Sequence, residues 1–202
     1  EEPRFPLELV FCSRCSLVQI TETVSPELLF GHYLYFSSFS DAMVSHAKKL
    51  VDRLIDERAL GADALAVEVA SNDGYLLQHY LARNVPVLGV EPARNIAKVA
   101  NERGIHTRSE FFGREVGEAL GRERKAEVIH ANNVLAHVTD LPGVVAGFAS
   151  LLADNGSLVI EAPYIRPMIE HCEFDTIYHE HLCYFSLQAL EHLFHQHGLV
   201  VQ

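Results

Sequence analysis

Hydrophobic positions from residue 65 onward fall into two alternating patterns. Short apolar runs at Leu65–Ala70, Val87–Val90, Glu127–Ala131 and Ser157–Glu161 predict strands. Apolar residues recurring every three or four positions predict helices over Tyr75–Arg83, Asn95–Arg103, Leu141–Leu152 and Leu187–His197, with a weaker pattern over Glu115–Leu120. Strands separated by helices of this length describe an α/β chain with a doubly wound, mostly parallel sheet covered on both faces. Upstream, Val44, Ala47, Val51, Leu54 and Ile55 mark a helix from Asp41 to Leu60. Ser25–Phe30 reads as a capped helical turn, and residues 5 to 20 as two short strands around a tight turn. Gly198–Gln202 reads as the start of another strand. These patterns divide the chain into a small N-terminal segment, 1–30, and a core, 31–202.

Charge and composition narrow the function. Sixteen basic against 27 acidic residues give −11, which argues against a broad nucleic-acid surface. A local basic pocket for a phosphate-bearing ligand is still compatible with that sum. No run reaches the roughly 18 apolar residues of a membrane span, and no export signal opens the chain, so the expected setting is cytoplasmic, with no membrane partner. Cys12-Ser13-Arg14-Cys15 is a CxxC, a spacing that places two thiolates in two positions of a zinc tetrahedron. No second CxxC exists, so a reduced pair is the simpler expectation and zinc the alternative. Cys172 and Cys183 read as unpaired thiols.

The strand ends carry the chemistry. In a doubly wound sheet, ligands sit at the carboxyl ends of the strands. The first core strand ends in Ala70-Ser71-Asn72-Asp73-Gly74, a turn-prone sequence that lets backbone approach a ligand. The second ends in Glu91-Pro92, where a carboxylate can accept from two ribose hydroxyls. A third runs into Asn132-Asn133 and then His137. A nicotinamide dinucleotide wants G-x-G-x-x-G to seat a pyrophosphate, and this turn has one glycine. S-adenosylmethionine has no phosphates and tolerates the bulkier turn. Taken alone, a Glu after a strand is more often merely solvated; the ordered set is more specific.

Glu68-Val69-Ala70-Ser71-Asn72-Asp73-Gly74-Tyr75-Leu76-Leu77, Gly89-Val90-Glu91-Pro92-Ala93, Ala131-Asn132-Asn133-Val134-Leu135-Ala136-His137-Val138 and Tyr178-His179-Glu180-His181 resemble the S-adenosylmethionine-dependent sugar C-methyltransferases. The resemblance covers nearly the whole chain. It implies a Rossmann-like methyltransferase core whose cofactor contacts are Glu68, Ala70, Asn72, Asp73, Gly74, Glu91, Pro92, Asn132 and Asn133. It implies a nucleotide-linked 4-keto-deoxy sugar as the small-molecule partner, methylated at carbon 3 in antibiotic-sugar biosynthesis. Family members hold zinc with four cysteines in two CxxC pairs; Cys12 and Cys15 match the second pair and the first is missing. They also carry a C-terminal domain that helps hold the sugar nucleotide, and this chain stops before it. The expectation is a core truncated at both ends.

Carbon methylation beside a ketone needs a base for the α-proton and a donor for the enolate oxygen. The sequence offers Tyr178 and His181 as a base pair, with Glu180 orienting a histidine, and His137 as the donor. Tyr33 is expected to reach the pocket, with Tyr35 as the fallback. Other readings stay open. His179 and His181 could belong to a metal site without an evident third ligand, and His137 could cap a helix. The Tyr33–Phe39 aromatics could be packing, though Ser37 and Ser38 could meet a ligand. His192, His195 and His197 read as solvated. An oxygen or nitrogen methyltransferase and a catalytically silent cofactor-binding module are the rival functions.

Overall fold

The computed structural model describes residues 4–202; residues 1–3, where the expected N-terminal segment begins, lie outside the described residues. Leu9–Phe11 (β1) and Val18–Ile20 (β2) form the expected hairpin around the CxxC turn, which Cys12 closes by donating its N–H to Leu17 O at 2.9 Å. The short helix Pro26–Phe30 (α1) follows. Its expected cap differs in detail: the Ser25 hydroxyl turns to the Glu27 carboxylate and no backbone N–H is capped by the side chain. Asp41–Arg58 (α2) starts from a true cap, Ser40 Oγ accepting the Met43 N–H at 3.3 Å.

The core then alternates as the hydrophobic pattern requires. Ala66–Val69 (β3), Leu77–Leu81 (α3), Val87–Val90 (β4), Arg94–Glu102 (α4), Thr107–Arg108 (β5), Arg114–Glu123 (α5), Ala126–Asn132 (β6), Leu141–Leu151 (α6) and Leu152–Glu161 (β7) succeed one another. After Ile165–Glu170 (α7), Cys183–Tyr184 (β8) and Leu187–His195 (α8) complete the chain's elements. The large sheet has the order β5-β4-β3-β6-β7, and every pairing in it is parallel. Strand order reverses beside β3, so a crevice opens at the carboxyl ends of β3 and β6. A second sheet, β1-β2-β8, ties the hairpin to the core through Val18–Tyr184 and Gln19–Cys183.

Both faces of β3 are buried, as a central parallel strand demands. Val67 and Val69 pack with Ile129, Ala131 and Phe148 on one side; Ala66 packs with Val51, Leu76 and Tyr80 on the other. The second face also carries a polar row: His130, Glu68, Gly89 and Thr107 are consecutive partners across four strands. Helices α5 and α6 approach closely because both are thinned by glycine; a Cβ on Gly117 would lie 2.4 Å from the Cα of Gly147.

Four expectations are revised. α3 is shorter than Tyr75–Arg83, because left-handed residues occupy the preceding turn. The fourth strand starts at Leu152, not Ser157, with a register shift between Ala126 and Val128 absorbing the extra residues. β5 went unrecognised, being two residues long with no alternation to detect. Gly198–Gln202 forms no strand: Gly198 takes φ +74° and Leu199 N–H returns to Phe194 O, which ends α8 instead. No helix among the described residues is long and apolar enough to cross a membrane.

Candidate active site

The turn after β3 is built from alternating left-handed residues. Ala70, Asn72 and Gly74 have φ of 52°, 49° and 81°. Such backbone is unfavourable for alanine and asparagine by about 1 kcal/mol each and persists only where surroundings hold it. Glu91, at the tip of β4, supplies the hold. Its Oε2 accepts the Asn72 N–H at 2.9 Å and its Oε1 accepts the Ala93 N–H at 2.8 Å. Gly74 is obligatory for a second reason: a Cβ there would stand 2.7 Å from Ile105 Cγ1. Asp73, buried beneath the turn, accepts from Arg103 at 2.7 Å and from the Ser38 hydroxyl.

A cavity of about 600 Å³ opens above these strand ends. Ala70, Asn72, Glu91, Pro92, Asn132 and Asn133, all expected at the cofactor, line it. Glu68, Asp73 and Gly74 do not; they lie under the turn and support it. Asn133 is itself left-handed at φ 56°, so strained backbone gathers at two cavity-facing turns. The outer wall comes from Tyr33, Tyr35 and Ser37 and from Phe30 of α1.

Charge in the cavity is one-sided. Glu27, Glu91 and Asp140 line it, and no Lys or Arg among the described residues does. Burial pushes the Glu91 carboxyl up, opposed by the N–H bonds of Ala93 and Asn72. Below it, Glu68 is fully buried with Oε2 unpartnered; burial first, then Glu91 and Asp73, push it well above the carboxylate range. Asn132 Oδ1 is buried without a partner at the cavity. Three acids and an orphan acceptor fit a cationic ligand bearing donors, such as the sulfonium and ammonium of S-adenosylmethionine.

The histidines sit at one end. His137 lines the cavity, its ring 5.4 Å from Phe30 and 5.0 Å from His181, centroid to centroid. His137 Nδ1 meets Glu180 O at 2.7 Å. A carbonyl only accepts, so Nδ1 bears the proton and Nε2 of the neutral ring presents a lone pair. Burial lowers the His137 pKa, which favours that neutral form. By the same logic His181 Nδ1 donates to Thr176 O at 2.9 Å, and its Nε2 accepts the Tyr178 hydroxyl at 3.2 Å. Tyr178–His181 is neither helix nor strand but a turn, closed by His181 N–H to Tyr178 O at 3.0 Å. Of the expected catalytic set, Tyr33 and His137 line the cavity, whereas Tyr178, Glu180 and His181 do not; the His181 ring packs on His137 and Tyr178 on His181. Burial, with Glu180, Tyr178 and Glu91 nearby, raises the Tyr33 pKa and keeps its hydroxyl protonated.

Several lining residues were not anticipated. Phe111 and Phe112 follow the unrecognised β5, and Tyr75 lay hidden in an expected helix. Outside the lining, Asn95, which binds Tyr33, carries one faint sequence signal: its place just after Glu91-Pro92. Cys12 and Cys15 share the knuckle turn, where backbone N–H groups of Cys15 and Arg14 lower the Cys12 pKa. No group of three or more His, Cys, Asp or Glu among the described residues is arranged to hold a metal ion, so two thiolates alone do not complete a zinc site.

A five-stranded parallel sheet of this order, with an acid at the second strand tip and a tight turn at the first, is a Rossmann-like doubly wound fold with its site at the topological switch point. The chain belongs to the methyltransferase domain family, whose model matches residues 43–202; a putative zinc binding domain matches residues 1–30. It is 40% identical over 201 residues to the C-methyltransferase NovU of Streptomyces niveus, a match covering 99% of this chain and 48% of that protein. The chain thus spans about half the length of that relative. Among solved structures, the YcgJ protein from Bacillus subtilis aligns with TM-score 0.61 at 16% identity, over 78% of this chain and 70% of that one. S-adenosylmethionine-bound CalS10, an amino pentose methyltransferase from Micromonospora echinaspora, aligns with TM-score 0.51 at 19% identity, over 66% and 59%. At these identities the two structures bear on the fold alone.

Proposed function

We propose that this chain is the cofactor-binding and catalytic core of an S-adenosylmethionine-dependent enzyme that methylates carbon 3 of a nucleotide-linked 4-keto-deoxy sugar. The observation that carries the reading is His137, whose Nε2 lone pair is set by the Nδ1–Glu180 bond at the end of an acid-lined cavity. The 40% identity to a C-methyltransferase supports transfer to carbon. S-adenosylmethionine, when bound, supplies a methyl group on a sulfonium that carries its own leaving group.

The protein's part is to make the acceptor carbon nucleophilic. His137 Nε2 takes the α-proton and becomes imidazolium, while the bonding electrons move to the ketone oxygen. Tyr33, held protonated, donates a hydrogen bond to that oxygen. Glu91 and the Ala70–Gly74 turn would hold the ribose end of the cofactor, and Asn132 would accept from its donors. This reading differs from the sequence expectation, in which Tyr178 and His181 are the base pair and His137 the donor: here His137 is the base and Tyr33 the donor.

The 3.2 Å Tyr178–His181 pair favours a second reading in which His181 takes the Tyr178 proton and the phenolate is the base. Burial and Glu180 raise the Tyr178 pKa, which opposes it. Deuterium wash-in at carbon 3 of a TDP-4-keto-deoxy sugar separates the two. Loss of exchange in His137→Asn with retention in Tyr178→Phe supports His137; the reverse pattern assigns the base to Tyr178. No exchange in the unaltered chain, with S-adenosylhomocysteine bound, overturns the proposal for this chain.

A further inference from the structure

We propose that Asn95 is a positioning residue for the reaction, acting with Asn72 as a latch that fixes residues 33–38 as a strap over the cofactor cavity. The inference rests on the methyltransferase reading for its consequences, but the latch itself is a matter of geometry.

Asn95 grips both backbone groups of one residue. Its Nδ2 donates to Tyr33 O at 2.6 Å, and its Oδ1 accepts the Tyr33 N–H at 3.2 Å. Asn72 does the same two residues apart: Nδ2 donates to Tyr35 O at 3.1 Å and Oδ1 accepts the Ser37 N–H at 2.9 Å. Two carboxamides therefore satisfy the strap as an adjoining strand would, without a strand being present. Ser38 adds a third tie to Asp73.

Packing holds the strap at a few rings: Tyr33 meets Phe30 and Phe36 meets Phe39, just beyond it, while Leu34 is 80% exposed and Tyr33, Tyr35 and Ser37 line the cavity. Asn95 itself does not line the cavity, so its effect on chemistry passes through Tyr33. Asn72 links the strap to Glu91 at the cavity wall, because its backbone N–H is held by Glu91 while its side chain holds Tyr35 and Ser37. A segment tied chiefly by side-chain hydrogen bonds and a few ring contacts opens without disturbing the core. Cofactor exchange then proceeds through strap opening, and Asn95 sets its frequency.

Hydrogen exchange of the strap amides, measured by mass spectrometry on the ligand-free full chain, tests the latch. Asn95→Leu removes both bonds; Asn95→Asp keeps the acceptor for Tyr33 N–H and loses the donor. Exchange over residues 33–38 is expected to rise about tenfold in Asn95→Leu and by less in Asn95→Asp. Acceleration that spreads into β3 and β6, or equal exchange in all three proteins, overturns the proposal. Wash-in at the keto sugar gives the functional arm: Asn95→Leu lowers kcat toward that of Tyr33→Phe, and the double variant falls no further. Additive losses refute action through Tyr33. Because the amide measurement needs no ligand, failure of the methyltransferase reading leaves it interpretable: wild type that fails to bind S-adenosylhomocysteine overturns that reading, not the latch.

Discussion

Glu91 Oε2 accepts the backbone N–H of Asn72 at 2.9 Å, so the acid at the tip of one strand holds the left-handed turn at the tip of the next. The same carboxylate is therefore both wall of the cavity and brace of the turn that shapes it. Removing it leaves the Asn72 and Ala93 N–H groups without acceptors, at about 1–3 kcal/mol each. Glu91→Ala is expected to lower the melting temperature and to weaken S-adenosylhomocysteine by at least about tenfold in calorimetric titration. Unchanged affinity in the folded variant would remove Glu91 from the cofactor site.

Gly74 combines φ +81° with a Cβ position 2.7 Å from Ile105 Cγ1. Gly74→Ala is expected to destabilise the chain by roughly 1–3 kcal/mol in urea denaturation. Gly61→Ala, where a Cβ meets nothing within 4 Å, is the control and should stay within about 0.5 kcal/mol.

Glu68 and His130 are cross-strand partners whose buried environments act in opposite senses on pH stability. Burial raises the Glu68 pKa, so its protonated form is retained on folding and stability falls as pH rises above the unfolded value of about 4.3. Burial lowers His130 to about 3, so stability is present above the unfolded value of roughly 6.5 and is lost as pH falls toward 3. Above the first value and below the second, the two slopes oppose. Glu68→Gln removes one of them. Its stability is expected to rise with pH from about 4.5 to 6.5 by up to about 1.4 kcal/mol per unit, where the wild type is flatter. Denaturation at a series of pH values reads the difference, and parallel curves would contradict it.

The pH profile of deuterium wash-in reports the base. With burial lowering the His137 pKa, Nε2 stays unprotonated below the ordinary histidine value of about 6.5. The rate is expected to hold steady through that pH and to fall only in more acid solution. A fall centred above 6.5 would point to another group.

How much was legible beforehand follows from the range of each interaction. The alternation around β3, β4 and β6 announced the parallel sheet, because burial on both faces of a strand writes itself into neighbouring residues. Glu91 and the Asn72-Asp73-Gly74 turn stood out for a similar reason: turn chemistry is a property of adjacent positions. β5 was missed because two residues carry no period. Phe111 and Phe112 were missed with it, since their place at a strand tip depended on a strand that left no trace. Glu68, expected at the cofactor, is turned by strand alternation to the face opposite Val69, which lines the cavity.

By itself, the order of apolar and polar residues determined the α/β class, the position of the strand tips and the presence of acids and amides there, since each depends on residues close in the chain. Tertiary structure alone decided which groups meet and in what protonation state. His137 lies 43 residues from the Glu180 carbonyl that places its proton on Nδ1, and Tyr33 lies 62 from the Asn95 that grips it. No local period encodes such pairs; they exist because the packed sheet brings its strand ends, the strap and the histidine turn to one cavity.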